Sequence, residues 1–128
     1  MTAPKEEVRE WIRKAELDYA SALILASGRK AFHEIVCFHC QQAAEKYMKA
    51  YLLLKGVRFP KIHDLERLIY LCSRESRSFK QLEDPAGILS VYAVDVRYPG
   101  VDASAAEAGE ALKAVRTIRR FARKYLEF

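Results

Sequence analysis

Gln41-Gln42-Ala43-Ala44-Glu45-Lys46-Tyr47-Met48-Lys49-Ala50 is the stretch on which the reading of this chain turns. It is built of strong helix formers and contains neither Gly nor Pro. At 100° per residue, Val36, Cys40, Ala43, Tyr47, Ala50 and Leu54 line up as one apolar face. The opposite side should be plainly polar, yet Gln42, Glu45, Lys46 and Lys49 are interleaved there with Ile35, Phe38, Leu52 and Leu53. A helix that is apolar nearly all round belongs in the middle of a bundle. Polar groups on such a helix are costly to bury unless they are paired. These side chains are therefore expected to meet a partner surface or to line a site.

Outward from this segment the helical period continues. The second helix is expected over Ala31 to Lys55, stopped by Gly56 and kept from resuming by Pro60. Before it, Val8, Trp11, Ile12, Ala15, Tyr19, Ala22, Leu23 and Ala26 predict a first helix from Lys5 to Ser27, closed by Gly28. The link between the two is short, so they should lie antiparallel. After it, Asp64 is a candidate N-cap for a third helix, Leu65 to Glu75, with Leu65, Leu68, Ile69 and Cys72 inward. Arg74 to Asp84 reads as irregular, with a short helical turn at Phe79 to Leu82. Asp84-Pro85 reads as a cap followed by Pro at the first position of a fourth helix, Pro85 to Val96. Arg97-Tyr98-Pro99-Gly100 breaks it, and a fifth helix follows from Ala103 to Leu126. Asp102, Glu107 and Glu110 near the start of that helix and its basic end both suit the helix dipole. No period-2 strand pattern competes. The expected fold is all-α, an antiparallel up-and-down helical bundle of five helices, in a single domain spanning residues 1–128.

Composition narrows the function. The 128 residues suffice for one core. No apolar run approaches the length of a membrane span, and Met1-Thr2-Ala3-Pro4-Lys5-Glu6-Glu7 lacks the apolar centre of a signal peptide. A cytoplasmic protein without membrane contact is expected. Three cysteines cannot all pair within the chain. Cys37-x-x-Cys40 lies within a helix with no second Cys/His pair at finger spacing, so all three read as small reduced core residues. His33 and His39 have no partner set that defines a metal site, and neither a metal nor a cofactor is expected. The net charge is +5, much of it from Lys113, Arg116, Arg119, Arg120, Arg123 and Lys124. Such a basic helical face suits either phosphate backbones or open solvent.

Trp11, Ala15-Glu16 with Asp18, the block Gln41-Gln42-Ala43-Ala44-Glu45-Lys46 with Lys49-Ala50, His63-Asp64-Leu65, and Arg97-Tyr98-Pro99 occur in this order over nearly the whole chain. In this it resembles the HEPN domain family (higher eukaryotes and prokaryotes nucleotide-binding). The resemblance implies an all-α bundle that forms a homodimer and partners a small nucleotidyltransferase, often in a toxin–antitoxin setting. Some members are metal-independent ribonucleases, and others bind nucleotide or serve as scaffolds. The ribonucleases carry an Arg and, after four to six intervening residues, a His at the turn into the last helix. Here Arg97 matches the Arg, but the corresponding later positions are Asp102, Ala103 and Ser104. None of these replaces an imidazole that titrates near neutrality. Arg58 and His63 satisfy the bare spacing, but in a different loop.

The candidate nucleotide- or phosphate-binding residues are Arg97, Tyr98, Gln42, Lys46 and Lys49. Arg97 offers a planar fork of donors to a phosphate, or pairs with Glu45 or Asp95 to hold its turn. Tyr98 packs and donates one hydrogen bond. Lys46 lies about one helical turn from both Lys49 and Gln42, and together they can hold an anion, or Glu45–Lys49 is an intrahelical pair at a polar dimer rim. His63 with Asp64 is either an acid–base pair or a structural neighbour of the cap. The leading reading is a nucleotide- or RNA-binding module. The alternative is an RNA endonuclease using Arg97 and His63, which the absence of a His after Arg97 disfavours. A purely structural dimer that masks a partner's site is the third.

Overall fold

The structure is a computed structural model that describes residues 5–94, 96 and 98–128. Its elements are α1 (Lys5–Ser27), α2 (His33–Leu54), α3 (Leu65–Glu75), a 3-10 helix (Arg77–Leu82), α4 (Glu83–Ser90) and α5 (Ala105–Leu126). No strand occurs among the described residues. The all-α bundle is thus present, with α2 at its centre, packed against α1, α3, α4 and α5.

The reason lies in α2 itself. Val36, Cys37, Cys40, Ala43, Ala44, Tyr47, Met48, Ala50, Tyr51 and Leu52 are all buried, so the helix has apolar cover on nearly every side. Its end is a Schellman turn: Gly56 takes a positive φ of 69°, its N–H donates to the Leu53 carbonyl, and the Val57 N–H donates to that of Leu52. α1 runs antiparallel beside it, since Asp18 meets His39 while Glu16 meets Tyr47 and Trp11 meets Lys49. The other end of the core is an aromatic cluster. Phe79, from the 3-10 helix, packs on Tyr51, Phe121 and Tyr125 with ring centroids 4.3, 4.9 and 5.1 Å away.

α1 and α3 have the predicted bounds, and the Asp64 side chain accepts from the Arg67 N–H as the expected N-cap. α2 is shorter than expected at both ends, beginning at His33 after an uncapped Phe32. Two other boundaries differ more. α4 begins at Glu83, because the 3-10 helix runs straight into it, and Pro85 occupies the third position of its first turn, where N–H groups have no helical partner. It also ends at Ser90 rather than Val96, in tight bonds from Tyr92 N–H to the Leu89 carbonyl and from Ala93 N–H to that of Ser90. That turn buries Tyr92, whose hydroxyl donates to Glu107 at 3.3 Å. α5 begins two residues late, after a capping box: the Glu107 N–H donates to Ser104 Oγ and the Ser104 N–H to Glu107 Oε1. The Arg97 element of the predicted break lies outside the described residues.

Candidate functional site: two carboxylate, lysine and histidine clusters on the central helix

The polar residues of α2 divide into two groups. In the inner one, Gln41, Glu45 and Lys49 are 0, 2 and 6% exposed. Glu45 accepts from Lys49 Nζ at 3.0 Å and from Gln41 Nε2 at 3.3 Å, and His63 Nδ1 lies 3.0 and 3.2 Å from its two oxygens. The Lys49 ammonium sits over the rings of Trp11 and Phe59, 5.6 and 5.8 Å from their centroids. Those rings remove it from water and return part of the lost solvation through cation–π attraction. His63 closes the cluster from outside, its side chain 66% exposed. The intrahelical Glu45–Lys49 pair is therefore present, facing the protein's own loop. Asp64 caps α3, and the carboxylate that His63 meets is Glu45.

The outer group lies on the α1–α2 seam. Asp18 of α1 accepts from Lys46 and lies 2.9 Å from His39 Nδ1. The side chains of His39, Asp18 and Lys46 are 27, 15 and 21% exposed, so solvent reaches all three. Burial tends to raise the Asp18 pKa, but the hydrogen bonds from His39 and Lys46 outweigh it and hold the carboxyl below its ordinary value. Gln42 joins the two groups: its Nε2 donates to Gln41 Oε1 at 2.7 Å, and its Oε1 accepts from Lys46 Nζ at 3.4 Å. A continuous polar string thus crosses α2, closed at Lys49 and open at Lys46.

A third cluster joins three helices. Glu16 accepts two bonds from Arg119, at 2.8 and 3.0 Å, and one from the buried Tyr47 hydroxyl at 2.8 Å. Burial opposes ionisation of Glu16, yet these donors lower its pKa, while burial and the Glu16 charge raise that of Tyr47. Arg119 also stacks 4.6 Å over the Tyr19 ring. This is an interhelical tie in which Arg119 is fully engaged.

Of the predicted residues, the structure brings Gln42 and Lys46 together at a reachable surface and closes Lys49 inside. Tyr98 is exposed, and Arg97 lies outside the described residues. The pairing of Asp18 with His39 and Lys46 and the Glu16–Arg119–Tyr47 tie are contacts that the sequence reading does not contain. The signal for Asp18 was present: it stands three residues after Ala15 and four before Ala22, within the apolar stripe of α1. The cysteines are unpaired and buried, with burial pushing the Cys37 thiol up to about 11 and Cys40 to about 12. Such thiols are inert. No helix of the described residues is long and apolar enough to cross a membrane.

The family model of the HEPN domain matches residues 8–125. Two solved structures share the fold. TT1696 from Thermus thermophilus is 24% identical with a TM-score of 0.77, over 92% of this chain and 97% of that one. ST0689, an archaeal HEPN homologue, is 24% identical with a TM-score of 0.74, over 98% and 99% of the two chains. None of the curated proteins matches.

Proposed function

The chain belongs to the HEPN domain family, and from that premise we propose that it is a nucleotide- or RNA-binding module, acting in the cytoplasm as a homodimer beside a small nucleotidyltransferase partner in a toxin–antitoxin setting. The partner and the setting rest on the family resemblance. The binding function rests on one observation, the water-accessible cluster of Asp18, His39, Gln42 and Lys46. An incoming phosphate replaces the Asp18 carboxylate at Lys46 and takes further donors from Gln42 and His39. In this reading Arg97 and Tyr98 also contact the ligand, and Lys49 holds the helix from within. The dimer is supported by Leu17 and Ile24, 50 and 70% exposed, which with Ala20 line one outward face of α1.

Titration of the purified protein with ribonucleoside triphosphates and with short RNA at low salt tests this reading. Saturable binding is expected, weakened on the order of tenfold by Lys46→Ala or Arg97→Ala, the cost of one charge-assisted bond. A flat titration of the unsubstituted protein overturns it. For the dimer, sedimentation equilibrium should show two copies for the unsubstituted chain and one for Ile24→Glu.

One observation favours a ribonuclease as the second reading. His63 is held by the buried Glu45 carboxylate while most of its ring faces water. An imidazole oriented in this way can take the proton of a ribose 2′-hydroxyl as that oxygen attacks phosphorus. Cleavage of RNA in chelator, abolished by both His63→Ala and Arg97→Ala, would establish it.

A further inference from the structure

The basic residues of α5 separate into two classes once the helix is packed. Arg119 is spent on Glu16, and Arg123 donates to the Phe128 carbonyl at 2.9 Å. Lys113, Arg116, Arg120 and Lys124 are exposed, and no ion pair is found for them among the described residues. At 100° per residue these four fall within an arc of about 80°, and at 1.5 Å per residue they extend over about 16 Å. The Thr117 hydroxyl lies on the same face. The nearest carboxylates along the chain are Glu110 before the stripe and Glu127, just past the end of α5, after it.

Helix formation does not account for this pattern. The dipole rewards cations only in the last turn, and Lys113 and Arg116 lie well before it. Arg116/Arg120 and Arg120/Lys124 are like-charge pairs at i, i+4, which oppose the helix. A membrane surface is also a poor fit, because the apolar side of α5 (Ala111, Val115, Ile118, Ala122) is consumed by the core and leaves nothing to insert. A linear row of cations on a rigid rod matches a linear polyanion. Two guanidinium forks can each take a phosphate through paired bonds, and the lysines act as point charges.

We propose that the Lys113–Arg116–Arg120–Lys124 stripe is a track for the phosphate backbone of RNA, separate from the Lys46 cluster and indifferent to base sequence. The choice of RNA among polyanions rests on the function proposed above. The stripe exposes no aromatic residue on which a base would stack, so its contribution is electrostatic. The test is fluorescence anisotropy with a labelled single-stranded oligoribonucleotide across a salt series. It compares the unsubstituted protein with Lys113→Gln/Arg116→Gln, Arg120→Gln/Lys124→Gln and the combined fourfold variant, each checked for unaltered thermal unfolding. The fourfold variant should lower the slope of log affinity against log salt by about 3, from 0.7 per neutralised phosphate. Each half should account for about half of that, while nucleoside triphosphate binding stays as it was. RNA binding with an unchanged slope in the fourfold variant overturns the proposal. So does a preference for duplex DNA over RNA, or binding to phosphatidylserine vesicles in place of RNA. Nucleotide binding without RNA binding removes the track and leaves the Lys46 site standing, whereas absence of both removes the two together.

Discussion

Glu45 and Asp18 each hold one lysine and one histidine, and both lysines come from α2, three residues apart. The chemistry of the two sets is nearly the same, but their access to water is not. Lys49 lies beneath Trp11 and Phe59 with 8% of its side chain exposed, whereas Lys46, at the edge of the α1 seam, keeps 21%. The difference comes from what lies above each residue: two aromatic rings, or one short aspartate. A buried ion pair stripped of one partner leaves a charge with no solvent, while a half-exposed one can exchange its partner for water or for an anion. The inner Glu45–Lys49 pair is therefore closed to solvent, and the outer set is within its reach.

The largest effect expected from this contrast is on stability. Lys49→Ala should cost about 3–5 kcal/mol in urea unfolding, because the buried Glu45 carboxyl group loses its lysine partner. The double substitution Glu45→Leu/Lys49→Met should recover most of that loss, since no orphaned charge remains. Next in size, Lys46→Ala should cost less than about 1 kcal/mol, the range of a partly solvated pair, even though it is expected to weaken nucleotide binding. Equal destabilisation by the two lysine substitutions would erase the distinction. His63→Ala, at the exposed lip of the inner cluster, should also stay below about 1 kcal/mol, because Lys49 and Gln41 still satisfy Glu45.

The smallest effect is on the acid side. In the folded protein Asp18 titrates below its ordinary 3.8, because the bonds from His39 and Lys46 outweigh its burial. Its contribution to stability is therefore complete above pH 3.8 and is lost as pH falls from there through the folded-state value. Asp18→Asn should flatten that part of the acid limb in a series of denaturant titrations and leave the profile above about pH 5 parallel to the original. An unchanged acid limb would mean that the outer cluster is not formed in solution.

Much of the architecture was legible residue by residue. The stripe of α1 and the Asp64 cap were readable because each depends on neighbours within a few positions. The capping box Ser104-x-x-Glu107 was equally local and was overlooked in favour of the acidic residues around it. The early end of α4 was not readable. It depends on Tyr92 finding Glu107 on a different helix, and no local signal separates Ser90 from Val96 as a stopping point. The candidate site was legible in part: the polar interruption of α2 identified Gln42, Lys46 and Lys49, but not which of them water would reach.

The sequence by itself determined an all-α chain, the bounds of α1 and α3, and the presence of charge on a rod that must be buried. These follow from the 3.6-residue period and from end signals, both properties of a single segment. Only the tertiary structure decided that Lys49 is sealed and Lys46 open, that His39 answers to Asp18, and that Arg119 is engaged while Arg116 and Arg120 form no ion pair among the described residues. Those outcomes depend on the rotation of one helix against another, which places residues 21, 28 and 103 positions apart within a hydrogen bond of each other.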